Sequence, residues 1–286
     1  MATNQEKVLA HYEDYTSRTG EDNRATSSRS ASIEFHYTKI ILDKFIDKNT
    51  RVLEVGCGTG YYGMYFASKC KEYVGIDLFP HHIEVFQQKI HAHGIKNLSC
   101  SIGDATNLNN IENGSFDVVL CLGPMYHLPP DERDIVFAEC KRVCKSGGIV
   151  AFAFINKIGT YFAACLHDDW RNSYPNHKAN EKVLKEGVND DESPFFFSTP
   201  EEMEHAANSH GLTKVRCAGL DFFGLTAIAD KMDDEKFGHY LKLLDEATSH
   251  ESCAGMSEHA LLVCRNAAVQ LIRSKKTPIH HQPNGA

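Results

Sequence analysis

The residues best able to do chemistry begin with Glu54-Val-Gly56-Cys-Gly58-Thr-Gly60, an acid two residues ahead of three glycines spaced Gly-x-Gly-x-Gly. Glycines at such a corner let backbone pass close beneath a ligand, and the N–H groups opening the next helix point at it. That is nucleotide-type chemistry at the carboxyl end of a parallel strand. Asp77 follows about twenty residues beyond the loop, where a carboxylate accepts two hydrogen bonds from a ribose cis-diol. Its plainer use is to cap the next helix. Gly103-Asp104-Ala105 is, by itself, ordinary turn chemistry. Tyr126-His127 leaves an apolar run at 115–122; imidazole titrates in the range a general base needs, and Tyr126 stands beside it to orient an acceptor. The structural alternative is a histidine capping a proline-rich turn and a tyrosine filling core.

These groups need elements to hold them. Residues 52–55 are short and β-branched with turn chemistry directly behind, which predicts a buried strand, and the chain from Tyr61 to Lys69 predicts a helix. Residues 72–77 predict a second strand ending on Asp77. Pro80 opens a helix that Gly94 closes. Residues 98–102 predict a third strand and 115–122 a central fourth, nearly all apolar. A helix over 129–144 carries a stripe at Ile135, Val136, Ala138 and Val143, the turn Lys145-Ser-Gly-Gly148 ends it, and 149–155 is a fifth strand. Before all of these, 33–46 shows a helical stripe at Ile33, Tyr37, Ile40, Ile41 and Phe45. After them, Thr199-Pro-Glu-Glu202 spells a capping box, opening a helix to Gly211. Strands follow at 212–223 and 259–265, with a helix at 233–248 between them. Strand–helix alternation implies a parallel sheet wound by helices on both faces, with ligands beyond the carboxyl ends of the strands.

Composition sets the frame. The chain has 286 residues, 42% hydrophobic and 24% charged, with a formal net charge of −8, enough for one sizeable α/β domain with insertions. No apolar run approaches the ~20 residues of a membrane span, and the N-terminus lacks a signal-peptide core, so a cytoplasmic protein without a membrane partner is expected. An acidic balance without a basic block argues against nucleic acid. The ten cysteines are scattered with no Cys-x-x-Cys, which predicts reduced thiols and no metal site. Gly58-x-Gly60-x-x-Gly63 also matches the dinucleotide fingerprint, but Glu54 and the early glycine disfavour that use. Tyr65 and Lys69 match a dehydrogenase dyad in the wrong place and read as coincidence.

The ordered set Glu54-x-Gly-x-Gly-x-Gly60, Asp77, Gly103-Asp-Ala105, Phe116-Asp-Val-Val-Leu-Cys-Leu-Gly123 and Ser146-Gly-Gly resembles class I S-adenosylmethionine (SAM)-dependent methyltransferases, in particular the small-molecule methyltransferase-domain group. Ser146 stands where that family's turn usually has proline. The resemblance covers about 33–198, with the closing strands following. It implies a doubly wound, seven-stranded, mostly parallel sheet of Rossmann-like methyltransferase type, with the last strand antiparallel, and SAM as cofactor. It further implies cofactor contacts at Glu54, Gly56, Cys57, Gly58, Gly60, Tyr61, Asp77, Leu78, Gly103, Asp104, Ala105, Cys121 and Leu122, with Asp104 on the adenine amino group. Metal is not implied.

The expected reaction is in-line methyl transfer to an N, O or S nucleophile of a small molecule, with His127 as base and Tyr126 beside it. A peptide or protein methyltransferase, or a non-catalytic SAM-binding subunit, stays open, as do the acceptor and the oligomeric state. Residues 1–32 are expected to be an N-terminal arm: either a mobile end, or a lid whose Tyr12, Tyr15 and one of Arg18, Arg24 or Arg29 reach the methionine end of SAM. The methyltransferase domain is expected over 33–273 and a flexible tail over 274–286. Insertions at 156–198 and 227–257 both leave from the ligand edge of the sheet and are expected to roof the substrate pocket, with Tyr161, His167, Trp170 and Arg171 lining it.

Overall fold

A computed structural model describes residues 3–18, 20–166, 177–188 and 193–267. The described residues build a seven-stranded sheet from β1 (Arg51–Val55), β2 (Glu72–Asp77), β3 (Leu98–Ile102), β4 (Phe116–Cys121), β5 (Cys144–Ile155), β6 (Leu212–Gly219) and β7 (His259–Asn266). Their order is β3-β2-β1-β4-β5-β7-β6. The first five pair parallel, and β7 runs antiparallel between β5 and β6. The helices are α1 (Asn4–Arg18), α2 (Arg29–Leu42), α3 (Tyr61–Phe66), α4 (Pro80–His93), α5 (Pro130–Val143), α6 (Lys157–Leu166), α7 (His177–Glu186), α8 (Pro200–Ser209), α9 (Phe223–Ala229) and α10 (Asp234–Ala247).

Alternation along the strands divides the core in two. Val52, Val118 and Ala151 face the layer holding Ile41 of α2, Phe66 of α3 and Phe86 of α4. Their neighbours Leu53, Val119 and Phe152 face Val136 and Phe137 of α5 and Met203 of α8. Both faces are covered, so the central strands are mostly apolar.

Local chemistry sets the ends. Gly94 closes α4 in the left-handed region (φ 60°) after Pro80 opens it. Thr199 and Glu202 make the reciprocal capping box of α8, with Thr199 Oγ1 accepting the Glu202 N–H at 3.2 Å and Glu202 Oε2 accepting the Thr199 N–H at 2.9 Å.

Several boundaries differ from the sequence expectation. Strand β5 starts at Cys144 rather than 149, pairing Cys144 with Phe116 across a register shift, because the glycine turn is taken up inside the strand. The boundary between arm and domain at 32/33 falls inside α2, whose N-cap is Ser28. The arm is structured: α1 leads to a 3-10 helix at Glu21–Thr26. The expected tail at 274–286 lies outside the described residues.

Candidate functional site

At the carboxyl ends of β1, β2 and β4 lies a cavity of about 460 Å³, within the usual size range of small-ligand sites. Its floor is the glycine corner. Gly58 has φ +51°, and a Cβ there would meet only Glu21 Cγ, at 3.8 Å. Gly60 has φ +85° and is the N-cap of α3; a Cβ there would sit 2.0 Å from the Phe86 ring. Backbone conformation thus demands both glycines, and close packing of α3 on α4 demands the second.

Glu54 is 1% exposed. Its Oε2 accepts the Tyr73 hydroxyl at 2.6 Å, and burial pushes its carboxyl up to about 8. Asp77 ends β2 with its carboxylate across the glycine loop. Oδ2 accepts the Gly58 N–H at 2.8 Å, and Oδ1 accepts the Phe79 N–H at 2.9 Å and lies 3.1 Å from His82 Nδ1. Asp104 adopts the turn chemistry that its sequence context also allowed, with Oδ1 accepting the N–H and hydroxyl of Thr106, each at 2.8 Å.

Of the sequence-selected cofactor residues, the cavity wall gathers Glu54, Gly56, Cys57 and Gly58 from the loop, Tyr61 from α3, and Asp77 with Leu78 after β2. It also gathers Gly103, Asp104, Ala105 and Leu122. Gly60 lies beneath the wall as a packing residue rather than on it. Cys121 is not on the wall. It points to the opposite face of β4, against Cys140 of α5, because adjacent strand residues face opposite ways. Tyr15 is also off the wall; its ring stacks on His11, and Tyr12 is the tyrosine of α1 that reaches inside.

His127 caps the 3-10 turn Pro124–Tyr126 and is 5% exposed. Its Nδ1 lies 3.0 Å from the Pro194 carbonyl and its Nε2 lies 2.9 Å from the Tyr12 hydroxyl. A carbonyl only accepts, so Nδ1 carries the proton and Nε2 accepts the Tyr12 O–H. Burial pushes the imidazole down to about 4. The ordinary imidazole pKa expected from sequence is therefore corrected: out of water the cation loses its hydration, and His127 is neutral well below pH 6. Tyr126 shares the wall, its ring centroid 4.7 Å from that of His127.

The N-terminal segment supplies the opposite wall. Asn4 Nδ2 donates to the His127 carbonyl at 2.7 Å, and the Thr59 hydroxyl donates to Asp22 Oδ1 at 3.0 Å. Lys89 of α4 also pairs with Asp22. Arg24 donates to Glu34 at 2.8 Å and to Glu21 at 3.4 Å. Beyond Glu34, His259 Nδ1 lies 2.6 Å from Asp221 Oδ2. Burial opposes charge on His259, yet Glu34 and Asp221 push it up to about 9, so a chain of alternating charges links the last strand to the arm. Arg24 is the one guanidinium or ammonium group on the wall among the described residues.

The expected roof is described only in part. No described residue of either insertion lines the cavity. Tyr161 is half-buried against Phe162, off the wall, and His167, Trp170 and Arg171 lie outside the described residues. The end of the first insertion acts from behind: Pro194 holds His127, and the Phe196 N–H donates to the Tyr126 carbonyl at 2.9 Å. The second insertion is drawn to α2 instead, through Ser30 to Asp230 and Arg29 to Asp234. Tyr65 and Lys69 do touch, at 2.6 Å with Asp43 alongside, and neither lines the cavity.

Sequence reasoning did not single out Glu34, His82 or the Tyr12–His127 pairing. The first two left a trace, each a polar residue beside the buried positions of its helix (Ile33 in α2, Ile83 in α4). The pairing joins residues 115 positions apart and left none.

A sheet of this order with a glycine corner over β1 and an acid ending β2 is the frame of a nucleotide-type binding site. The methyltransferase-domain family pattern matches residues 52–148. Ubiquinone biosynthesis O-methyltransferase of Acinetobacter baumannii (strain SDF) is 28% identical over 196 residues, 67% of this chain and 77% of that protein. The enzyme of the same name from Thiobacillus denitrificans is 28% identical over 179 residues, 62% of this chain and 71% of that protein. Among solved structures, a chain of the complex between the Haloferax volcanii Trm112 methyltransferase activator and a putative methyltransferase superposes with TM-score 0.58 at 17% identity, covering 91% and 98% of the two chains. A putative sarcosine dimethylglycine methyltransferase from Galdieria sulphuraria gives 0.53 at 14%, covering 82% and 85%. The chain is a class I SAM-dependent methyltransferase.

Proposed function

We propose that this enzyme transfers the methyl group of SAM to an N, O or S nucleophile of a small-molecule acceptor held between the glycine corner and the N-terminal arm. The supporting observation is the cavity itself. It places a hydrogen-bonded Tyr12–His127 pair beside a nucleotide-type floor.

SAM, when bound, supplies a methyl group on a sulfonium centre, a leaving group that needs neither acid nor metal. The residues present fit such a ligand. The open face of Gly58 leaves a cradle that a Cβ would narrow, and Asp77 is held beside it by backbone N–H groups on the cavity wall. In this reading Asp77 binds the ribose hydroxyls, Asp104 the adenine amino group, and Leu78, Ala105 and Leu122 the base. Gly56 to Gly58, with Glu54 behind them, meet the amino-acid end, and Arg24 takes its carboxylate.

The chain's main contribution to rate is alignment of acceptor with methyl and sulfur, worth up to about 7–11 kcal/mol in well-oriented systems. His127 keeps Nε2 unprotonated at neutral pH, its lone pair accepting the Tyr12 O–H and its Nδ1–H anchored on Pro194. An acceptor hydroxyl or ammonium passes its proton to that nitrogen through the Tyr12 hydroxyl, a step worth about 10²–10⁴ in rate. Tyr126 borders the same corner and orients the acceptor. The O-methyltransferase names of the relatives support a small, oxygen-bearing acceptor as the first to try.

The test is a methyl-transfer screen with labelled SAM against pooled phenols, amines, thiols and carboxylic acids, following S-adenosylhomocysteine release. Turnover with a phenol or an amine is expected. Silence across the pools, with S-adenosylhomocysteine still binding, would replace this reading by a peptide acceptor or a partner-dependent subunit.

A further inference from the structure

His82 is a polar side chain without a complete set of partners. It lies in the first turn of α4, is 2% exposed and borders the cavity. Its Nδ1 faces Asp77 Oδ1 at 3.1 Å, and its Nε2 is buried with no hydrogen-bond partner among the described residues. The rings of Tyr12 and Phe79 pack edge-on against it, with centroids 4.9 and 5.0 Å away. A buried imidazole nitrogen without a partner costs about 1–3 kcal/mol, so the position calls for an explanation.

The tautomer of the neutral ring follows from the neighbours. A carboxylate accepts only, so His82 Nδ1 carries a proton toward Asp77, and in the neutral ring Nε2 is a buried acceptor awaiting a donor. The lone pairs of Asp77 give the second half of the argument. A carboxylate offers about four acceptor directions. Three are taken, by the Gly58 N–H on Oδ2 and by the Phe79 N–H and His82 on Oδ1. A vicinal diol brings two O–H donors. Asp77 has room for one of them without breaking a bond it already makes, and Nε2, on the far side of the His82 ring that faces it, is the unpartnered acceptor nearby.

We propose that the nucleoside diol of the cofactor is read by an Asp77–His82 pair, one hydroxyl donating to Asp77 Oδ2 and the other to His82 Nε2. This rests on the cofactor reading above and assigns His82 as a specificity-determining residue for the ribose. The Tyr12 ring, which packs edge-on against His82 in this structure, shifts to admit the hydroxyl.

The test is a cycle between ligand and protein, read by calorimetric binding rather than turnover. S-adenosylhomocysteine and its 2′-deoxy and 3′-deoxy analogues are titrated into the wild-type chain, His82→Phe and His82→Asn. In the wild type both deletions are expected to weaken binding by about 5–20-fold. In His82→Phe one of the two deletions is expected to become nearly silent, while the other keeps its full effect. His82→Asn, which retains an acceptor, should recover part of the lost discrimination. It also keeps the test open if the phenylalanine variant fails to fold. Both deletions costing the same in all three proteins would overturn the assignment and leave His82 as packing. A wild-type chain that does not bind S-adenosylhomocysteine at all would instead overturn the cofactor reading, and this assignment with it.

Discussion

The two walls of the cavity are built on different principles. The floor is backbone: three glycines between β1 and α3, and an acid locked at the end of β2 by main-chain N–H groups. Its geometry is set by a parallel sheet whose central strands are buried on both faces. The opposite wall is side chain. Helix α1 and the 3-10 turn after it bury only Val8 and Ala25 as apolar residues among those described, and they dock through polar contacts: Asn4 and Tyr12 on His127, Asp22 on Thr59. The floor holds its shape because the fold requires it. The cover holds its place through a few hydrogen bonds, each worth about 0.5–1.5 kcal/mol net, which in the proposed reading suits a segment that opens for ligands.

Three experiments can break or sharpen this contrast. The largest effect is expected from Gly60→Ala. A Cβ 2.0 Å from Phe86 at φ +85° combines overpacking with left-handed strain, and a loss of about 2–5 kcal/mol is expected in chemical denaturation. Unchanged stability would show the floor to be pliable. Next comes Asp77→Ala, which removes charge-assisted acceptors from the floor. S-adenosylhomocysteine affinity should fall by roughly 30- to 1,000-fold, about 2–4 kcal/mol, with the far-ultraviolet spectrum of the fold retained. Unaltered affinity would remove the ribose assignment.

The smallest effect on binding, and the most specific, is expected from Tyr12→Phe on the covering wall. It should lower kcat by about 10–100-fold while changing S-adenosylhomocysteine affinity less than threefold. Its pH profile separates proton transfer from docking. Burial holds folded His127 near 4, below its unfolded value. The contribution of neutral His127 to stability is therefore complete above about 6.5 and lost progressively as pH falls toward 4, whereas its contribution to turnover is lost only as pH falls through 4. Wild-type kcat/KM should show its acid limb near 4. A limb near 6.5 would mean that His127 is solvated and the cover open, and an affinity loss as large as that of Asp77→Ala would merge the two walls into one.

Legibility in the sequence followed the same division. Strand β2 ends on Asp77 where its apolar run stops, Pro80 and Gly94 bracket α4, and Thr199 with Glu202 cap α8, all signals carried within a few residues. Where the family resemblance places side chains, it overreaches. It implies both Cys121 and Leu122 at the site, yet a strand turns neighbours to opposite faces, and only Leu122 reaches the cavity. The aromatic-rich first insertion is expected to roof the acceptor; of its described residues, Pro194 holds His127 from behind.

What the sequence by itself determined is therefore the wound α/β frame, its glycine corner and the acid at the end of β2, because each is written in local periodicity, caps and turn residues. Tertiary structure alone decided that β7 inserts between β5 and β6, that Tyr12 meets His127, that Arg24 sits between Glu21 and Glu34, and that His82 stands unpartnered beside Asp77. These contacts join residues far apart in the chain. Their chemistry, a histidine held near 4 and another raised to about 9, comes from burial and neighbouring charge that exist only once the sheet has assembled.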